Sequence, residues 1–171
     1  MGYVHNTQMA QFIAPNLFHR VTGTWSMAAG QVADTIVLKV NEADQTSTVN
    51  IPIIIPSNSV ALAGCYLKSV EIDFEIVDTA LTAMAAVFNK VTRGADGSVA
   101  VVAAQDFSYD AGHDTAGERV DVDQHKMTLT LDTPVWVDND VYFLIELTID
   151  QALAGGYIEF LGAIANFTLR L

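Results

Sequence analysis

The densest group of side chains with chemical potential lies between Ser108 and His125. The run Ser108-Tyr109-Asp110-Ala111-Gly112-His113-Asp114-Thr115-Ala116-Gly117-Glu118-Arg119 combines three carboxylates, an imidazole and two glycines. A calcium ion takes about 6–8 oxygen ligands from a loop, and Asp110, Asp114 and Glu118 offer some of them. Their spacing matches neither an EF-hand nor a glycine-aspartate repeat. The run therefore reads first as a long loop in which His113 and Asp114 fix the turn and Arg119 pairs with an acid. Just beyond it, Asp121, Asp123 and His125 alternate, so a strand would carry all three on one face. Two carboxylates and an imidazole can ligate a metal or exchange protons. The solvated outer face of a strand accounts for the same three residues.

Other routes to chemistry are sparser. Cys65 is the only cysteine, which excludes a disulfide framework within one chain and any cysteine-based zinc site. With Lys68 as its only local base, it reads as a buried structural thiol rather than a nucleophile. His5 and His19 have no partner within sequence reach. The chain lacks G-x-S-x-G, and no Gly-rich loop follows a strand and opens a helix. Glu71, Asp73 and Glu75 share one strand face, and a row of like charges there describes a wet sheet surface. No catalytic residue, cofactor or metal ligand is assigned, and the expectation is a protein that is not an enzyme. Aromatic residues offer a different function: Trp25, Trp136, Tyr142 and Tyr157 can stack on sugars if exposed, the property of a carbohydrate-binding β-sandwich module, or can pack in a core or interface.

The elements that must position these residues announce themselves by period-two alternation. Val70, Ile72, Phe74 and Ile76 alternate with Glu71, Asp73 and Glu75; Met127, Leu129 and Leu131 alternate with polar neighbours; Val141, Phe143, Ile145, Leu147 and Ile149 form a third such face. Ile36, Leu38 and Val40 are expected to pair with Val49, Ile51, Ile53 and Ile55 as a hairpin joined by residues 41–45. Turns are expected at residues 94–97, 138–140 and 154–156, where Gly, Asn and Asp tolerate a left-handed backbone. Residues 79–88, rich in Ala and Met, read as strand by the company they keep; Asn6 to Ile13 reads as an arm or short helix. Pro52 and Pro56 place the strand between them at an edge, because proline cannot donate to a ladder. In the last strand Ile158 and Phe160 have the opposite parity to Phe167, Leu169 and Leu171, which calls for a bulge at Gly162 or for cover on both faces. The expected fold is all-β: a single antiparallel β-sandwich of jelly-roll type with about eight or nine strands over residues 19–171, preceded by an N-terminal arm over residues 1–18.

Composition bounds what such a sandwich does. The 171 residues include 20 acids and 8 bases, a formal charge of −12; 51% are hydrophobic and 16% charged. Soluble domains average about 25% charged residues, so part of this surface is expected to be covered by other subunits. The acids are uneven: residues 1–70 are neutral overall, whereas residues 106–150 hold eleven acids against two bases. Nucleic acid finds no basic footprint here. No apolar run approaches the roughly 18 residues of a membrane span, and no basic start followed by an apolar stretch marks a secretory signal.

The strings YDAGHDTAGERV, HKMTLTL, WVDNDVYFLIELTID and GAIANFTLRL resemble small uncharacterised β-proteins encoded by phages and environmental viruses. The resemblance implies a virion or extracellular shell, decoration or fibre subunit that forms a trimer or larger symmetric assembly, and it carries over no catalytic residue. Met9, Phe12, Ile13, Leu17, Phe18, Phe167, Leu169 and Leu171 are the expected assembly-interface residues. The partner would be the chain itself, with weak cation or glycan binding as the remaining possibilities; a membrane and direct contact with nucleic acid are not expected.

Overall fold

Alternating apolar residues need a second apolar layer to cover them, and the chain supplies it by folding its strands into two stacked antiparallel sheets. The computed structural model describes residues 5–29, 36–40, 45–56, 64–77, 81–94, 96–152 and 157–170. Within these lie twelve strands: β1 (Asn6–Ile13), β2 (His19–Thr22), β3 (Trp25–Ala29), β4 (Ile36–Val40), β5 (Gln45–Ile53), β6 (Cys65–Val77), β7 (Leu81–Thr92), β8 (Val101–Gln105), β9 (Phe107–Tyr109), β10 (Gln124–Val137), β11 (Val141–Gln151) and β12 (Tyr157–Arg170). The only helical elements among the described residues are two three-residue 3-10 turns, Pro15–Leu17 and Glu118–Val120.

One sheet runs β3-β4-β12-β6-β10-β9, with β1 pairing the far half of β12; the other runs β2-β5-β11-β7-β8. Taking β4-β12-β6-β10 against β5-β11-β7-β8 gives the eight-stranded jelly roll, two interlocked Greek keys. The expected eight or nine strands correspond to this nucleus; of the additions, β2, β3 and β9 are three to five residues long, and the eight residues of β1, NTQMAQFI, do not alternate cleanly. The expected hairpin of residues 36–40 with 49–55 does not form. Instead β4 pairs β3 and β12 in one sheet, while β5 pairs β2 and β11 in the other. Alternation specifies which side of a strand is buried but not its partner, so a crossover between sheets and a hairpin look alike locally. Asn6–Ile13 is likewise a strand rather than a helix, in register with Ala163–Arg170 of β12. The expected arm thus belongs to the same sandwich.

Between the sheets, Phe74, Phe88, Phe143 and Phe160 are fully buried, with Phe74 and Phe160 facing each other across the β6–β12 ladder. Each such ring contributes about 1.5–3 kcal/mol of burial. Trp25 and Phe18 close one end of the core, their rings 6.0 and 5.8 Å from that of Phe160. Pro52 sits where β2, whose pairing ends at His19↔Asn50, no longer covers β5. It is therefore a local edge inside an otherwise interior strand. The bulge expected near Gly162 is present, as a register shift between Phe160 and Gly162 that switches the inward parity from Phe160 to Ala163.

Candidate functional site

Two register defects shape the outer face of the larger sheet. On one side of β6, the pairs Asn166↔Ser69 and Phe167↔Leu67 leave Lys68 without an opposite; on the other, Thr130↔Ser69 is followed by Val135↔Leu67, so β10 bulges over Leu131–Pro134. A bulge leaves its extra residue unpaired, and Lys68 shares the outward parity of Tyr66. Beside it, register lines up one residue from each of four strands: Gln8 (β1), Thr168 (β12), Tyr66 (β6) and Trp136 (β10). Three strand spacings make this row about 14 Å long. Arg170 and Asn6 form the pair two residues further along β12 and β1, and the Arg170 amide donates to the Gly64 carbonyl at 2.9 Å.

The row is the wall of two adjoining grooves. A groove of about 540 Å³ is lined by Asn6, Gln8, Tyr66, Lys68, Pro134, Thr168 and Arg170. The second, about 440 Å³, shares Tyr66 and Pro134 and adds Gln105, Asp106, Asp132 and Trp136. Both fall in the usual size range of small-molecule sites. The Tyr66 and Trp136 rings meet edge to face, with centroids 4.9 Å apart. Gly64 makes room for that ring: at φ +87 to +96 only glycine is comfortable, and Gly64 has φ +96 with the Trp136 ring 2.1 Å from where a Cβ would sit. Thr168 is buried, and its Oγ1 has no hydrogen-bond partner among the described residues.

The polar loop singled out in the sequence closes on itself. Asp110 accepts from the Thr128 and Gly112 amides at 2.6 and 3.0 Å and from His113 Nδ1 at 2.8 Å. Burial of Asp110 opposes its charge, but these donors, with the Thr128 amide foremost, hold the carboxyl below the usual aspartate range. His113 Nε2 lies 3.1 Å from His125 Nδ1, and His125 Nε2 donates to the Asp121 carbonyl at 2.8 Å. A carboxylate and a carbonyl both accept, so Nδ1 of His113 and Nε2 of His125 each carry a hydrogen; a hydrogen bond between the remaining nitrogens then needs one further proton shared by the rings. Among the described residues Arg119 does not pair with an acid as expected. Its guanidinium donates to the carbonyls of Met84, His113 and Asp114 and stacks 4.1 Å from the Tyr109 ring. Asp121 and Asp123 precede β10 in bends, so the expected shared face with His125 does not exist; the His125 ring stacks on Phe74 at 4.7 Å. Among the described residues no three His, Cys, Asp or Glu side chains gather closely enough to hold a metal.

Elsewhere, Glu71 is bound by Lys126 at 2.6 Å and Asn166 at 2.8 Å, contacts that hold its carboxyl low, while burial pushes Asp73 up. Cys65 donates its thiol to the Pro56 carbonyl at 2.7 Å, and burial raises its pKa to about 11. Of the four aromatics proposed for stacking, Trp25 is core, donating Nε1 to the Thr22 carbonyl. Trp136 lines the second of the grooves above; Tyr142 lines a separate cleft of about 400 Å³ with His19, Arg93 and Asp140 on the smaller sheet. Tyr157 is half-buried beside Glu159 and Glu75. Of the expected interface residues, Met9, Phe12 and Leu17 are exposed, Ile13, Phe18 and Phe167 are core, Leu169 packs on the core, and Leu171 lies outside the described residues. Sequence reading missed Gln8, Tyr66, Lys68, Thr168 and Arg170; the one local signal was Pro134, which interrupts the alternation of β10 where it bulges.

No family model matches the chain, and no curated protein matches it, so the likeness to virus-encoded β-proteins gains no support from either comparison. Solved structures do align. One, from a study of promiscuous specificity in carbohydrate-binding modules of the β-sandwich superfamily, has 14% identity and a TM-score of 0.43, covering 94% of this chain and 55% of that one. A family 11 carbohydrate-binding module from a cellulosomal cellulase of Clostridium thermocellum has 7% identity and a TM-score of 0.38 over 96% and 88% of the two chains. A mannan-recognising carbohydrate-binding module has 11% identity and a TM-score of 0.36 over 99% and 98%. The chain thus spans just over half the length of the first. The sandwich architecture itself is plain from the strand order, and architecture does not determine function.

Proposed function

We propose that the protein is a carbohydrate-binding β-sandwich module that seats its ligand along the Tyr66–Trp136 wall. The observation that supports this reading is the in-register row of Gln8, Thr168, Tyr66 and Trp136 between two grooves. A sugar ring offers an apolar C–H face and a rim of hydroxyls. Aromatic walls suit the first, and amide, hydroxyl and carboxylate groups suit the second. Both kinds of group line these grooves, and Gln8, Tyr66, Asp132, Trp136 and Thr168 do so at low ordering cost because they stand on strands rather than loops. Affinity electrophoresis against a panel of soluble polysaccharides tests the reading. Tyr66→Ala is expected to weaken the best ligand at least about tenfold, the loss of roughly 1.4 kcal/mol, with the melting temperature little changed. No retardation by any polysaccharide would reject it.

A second reading, a self-assembling subunit, draws on β8. This edge strand of the smaller sheet is exposed on both faces, with Val101 and Val102 at 66% and 60% exposure, and Val99 just before it at 90%. No charged residue occurs from Ser98 to Gln105. An uncharged apolar edge is a template for pairing with another strand.

A further inference from the structure

We infer that the groove beside Tyr66 selects an acidic sugar, one bearing a carboxylate or sulfate, and seats a neutral sugar next to it; this rests on the carbohydrate-binding reading. Two of the chain's eight Lys and Arg residues, Lys68 and Arg170, line a single groove together with Asn6, Gln8, Tyr66, Pro134 and Thr168, and no acid lines it. In a chain with 20 acids this is an electrostatic exception. Neither cation has an ion-pair partner among the described residues, whereas Lys126 on the same face is tied to Glu71 at 2.6 Å. Lys68 shares the outward parity of Tyr66, and the bulge of β6 leaves it with no residue opposite on either neighbouring strand.

At the groove's floor Thr168 is 9% exposed and its Oγ1 is shut away from the open space, so the groups presented to a ligand are the two cations, the Asn6 and Gln8 amides and the Tyr66 ring. Arg170 can hold a planar carboxylate or a sulfate with its fork of donors, Lys68 adds a point charge, and Tyr66 offers a ring to the sugar body. Past the shared Tyr66–Pro134 ridge the sign reverses, with Asp106 and Asp132 in the neighbouring groove. Carboxylates there accept hydroxyl protons and repel a second anion. The combined surface therefore fits an acidic residue followed by a neutral one rather than an unbroken polyanion.

Titration calorimetry with matched ligands tests this: a xylo-oligosaccharide carrying one glucuronate, the same oligosaccharide without it, a singly sulfated neutral oligosaccharide, and a polyuronate. The expected result is at least about tenfold preference for a singly charged ligand over the neutral chain, fading as salt rises from about 0.05 to about 0.5 M. Which of the two singly charged ligands binds tighter assigns the anion to carboxylate or sulfate, and the polyuronate is expected to bind more weakly than either. The preference is expected to vanish in Lys68→Gln and Arg170→Gln and to survive in part in Arg170→Lys, all three melting like the parent. Equal binding of charged and neutral chains overturns the inference while leaving the carbohydrate reading intact. A charge preference untouched by both glutamine variants overturns the site. Absence of binding by every oligosaccharide, together with no retardation in the polysaccharide panel, overturns both.

Discussion

Asp110 is the most heavily engaged carboxylate described, and it works as a structural staple rather than as a cation ligand. Its two oxygens take the Thr128 amide, the Gly112 amide and His113, so one side chain ties the 110–125 loop to β10. Hydrogen bonds to a charged acceptor contribute about 1.5–3 kcal/mol each, net of the bonds to water they replace. Asp110→Ala is expected to lower stability by roughly 2–3 kcal/mol at pH 7, measured by urea denaturation. The sign of its pH dependence follows from a carboxyl held below its ordinary value. The stabilisation is complete above the unfolded value of about 4 and is lost as pH falls through the lower folded value. The gap between parent and variant should therefore be full at pH 7 and narrow steadily below about pH 4. The sequence displayed Asp110 and His113 as a polar cluster, but the Thr128 amide that donates to Asp110 and the His125 ring beside His113 are brought close only by folding.

At the scale of elements, bulges place what alternation cannot. Gly162, φ +147, stands at the shift in β12, where an added Cβ would lie 2.6 Å from the Phe12 ring and 3.1 Å from the Ile13 carbonyl of β1. Gly162→Ala must then push β1 away from β12, as overpacking does at a cost of about 1–3 kcal/mol. The expected outcome is a loss of about 2 kcal/mol in chemical denaturation, with faster amide exchange in Thr7–Ile13 than in β6. This bulge was legible, because the parity of Ile158 and Phe160 disagreed with that of Phe167 and Leu169. The bulge at Lys68 was not: Tyr66, Leu67, Lys68 and Ser69 look like ordinary strand, and the missing opposite is visible only once β10 and β12 are laid alongside. The same limit hid the groove. Gln8, Tyr66, Trp136 and Thr168 are outward residues on four strands separated by most of the chain, and no local motif links them.

Across the whole molecule, burial is lopsided in charge. The net −12 sets copies of the chain against one another, while the β8 edge invites them together through unpaired backbone and bare valines. If β8 pairs with its own copy, the antiparallel arrangement is a two-fold interface. Light scattering coupled to size-exclusion chromatography should then show association that strengthens with salt, as the repulsion is screened. Val102→Lys should leave the protein monomeric at every salt concentration; a variant that still associates like the parent removes β8 from the interface. The jelly-roll class itself was readable from alternation in strands such as β5, β6, β10 and β11 and from the turns between them, whereas strand order across the two sheets is a property of long-range pairing. Cys65 has a practical corollary. With the sole sulfhydryl shut inside and bonded to Pro56, a cysteine engineered at the groove rim, such as Asn6→Cys, would be the one position open to maleimide dyes, so fluorescence could report occupancy of the Tyr66 wall without first stripping the native chain of thiols.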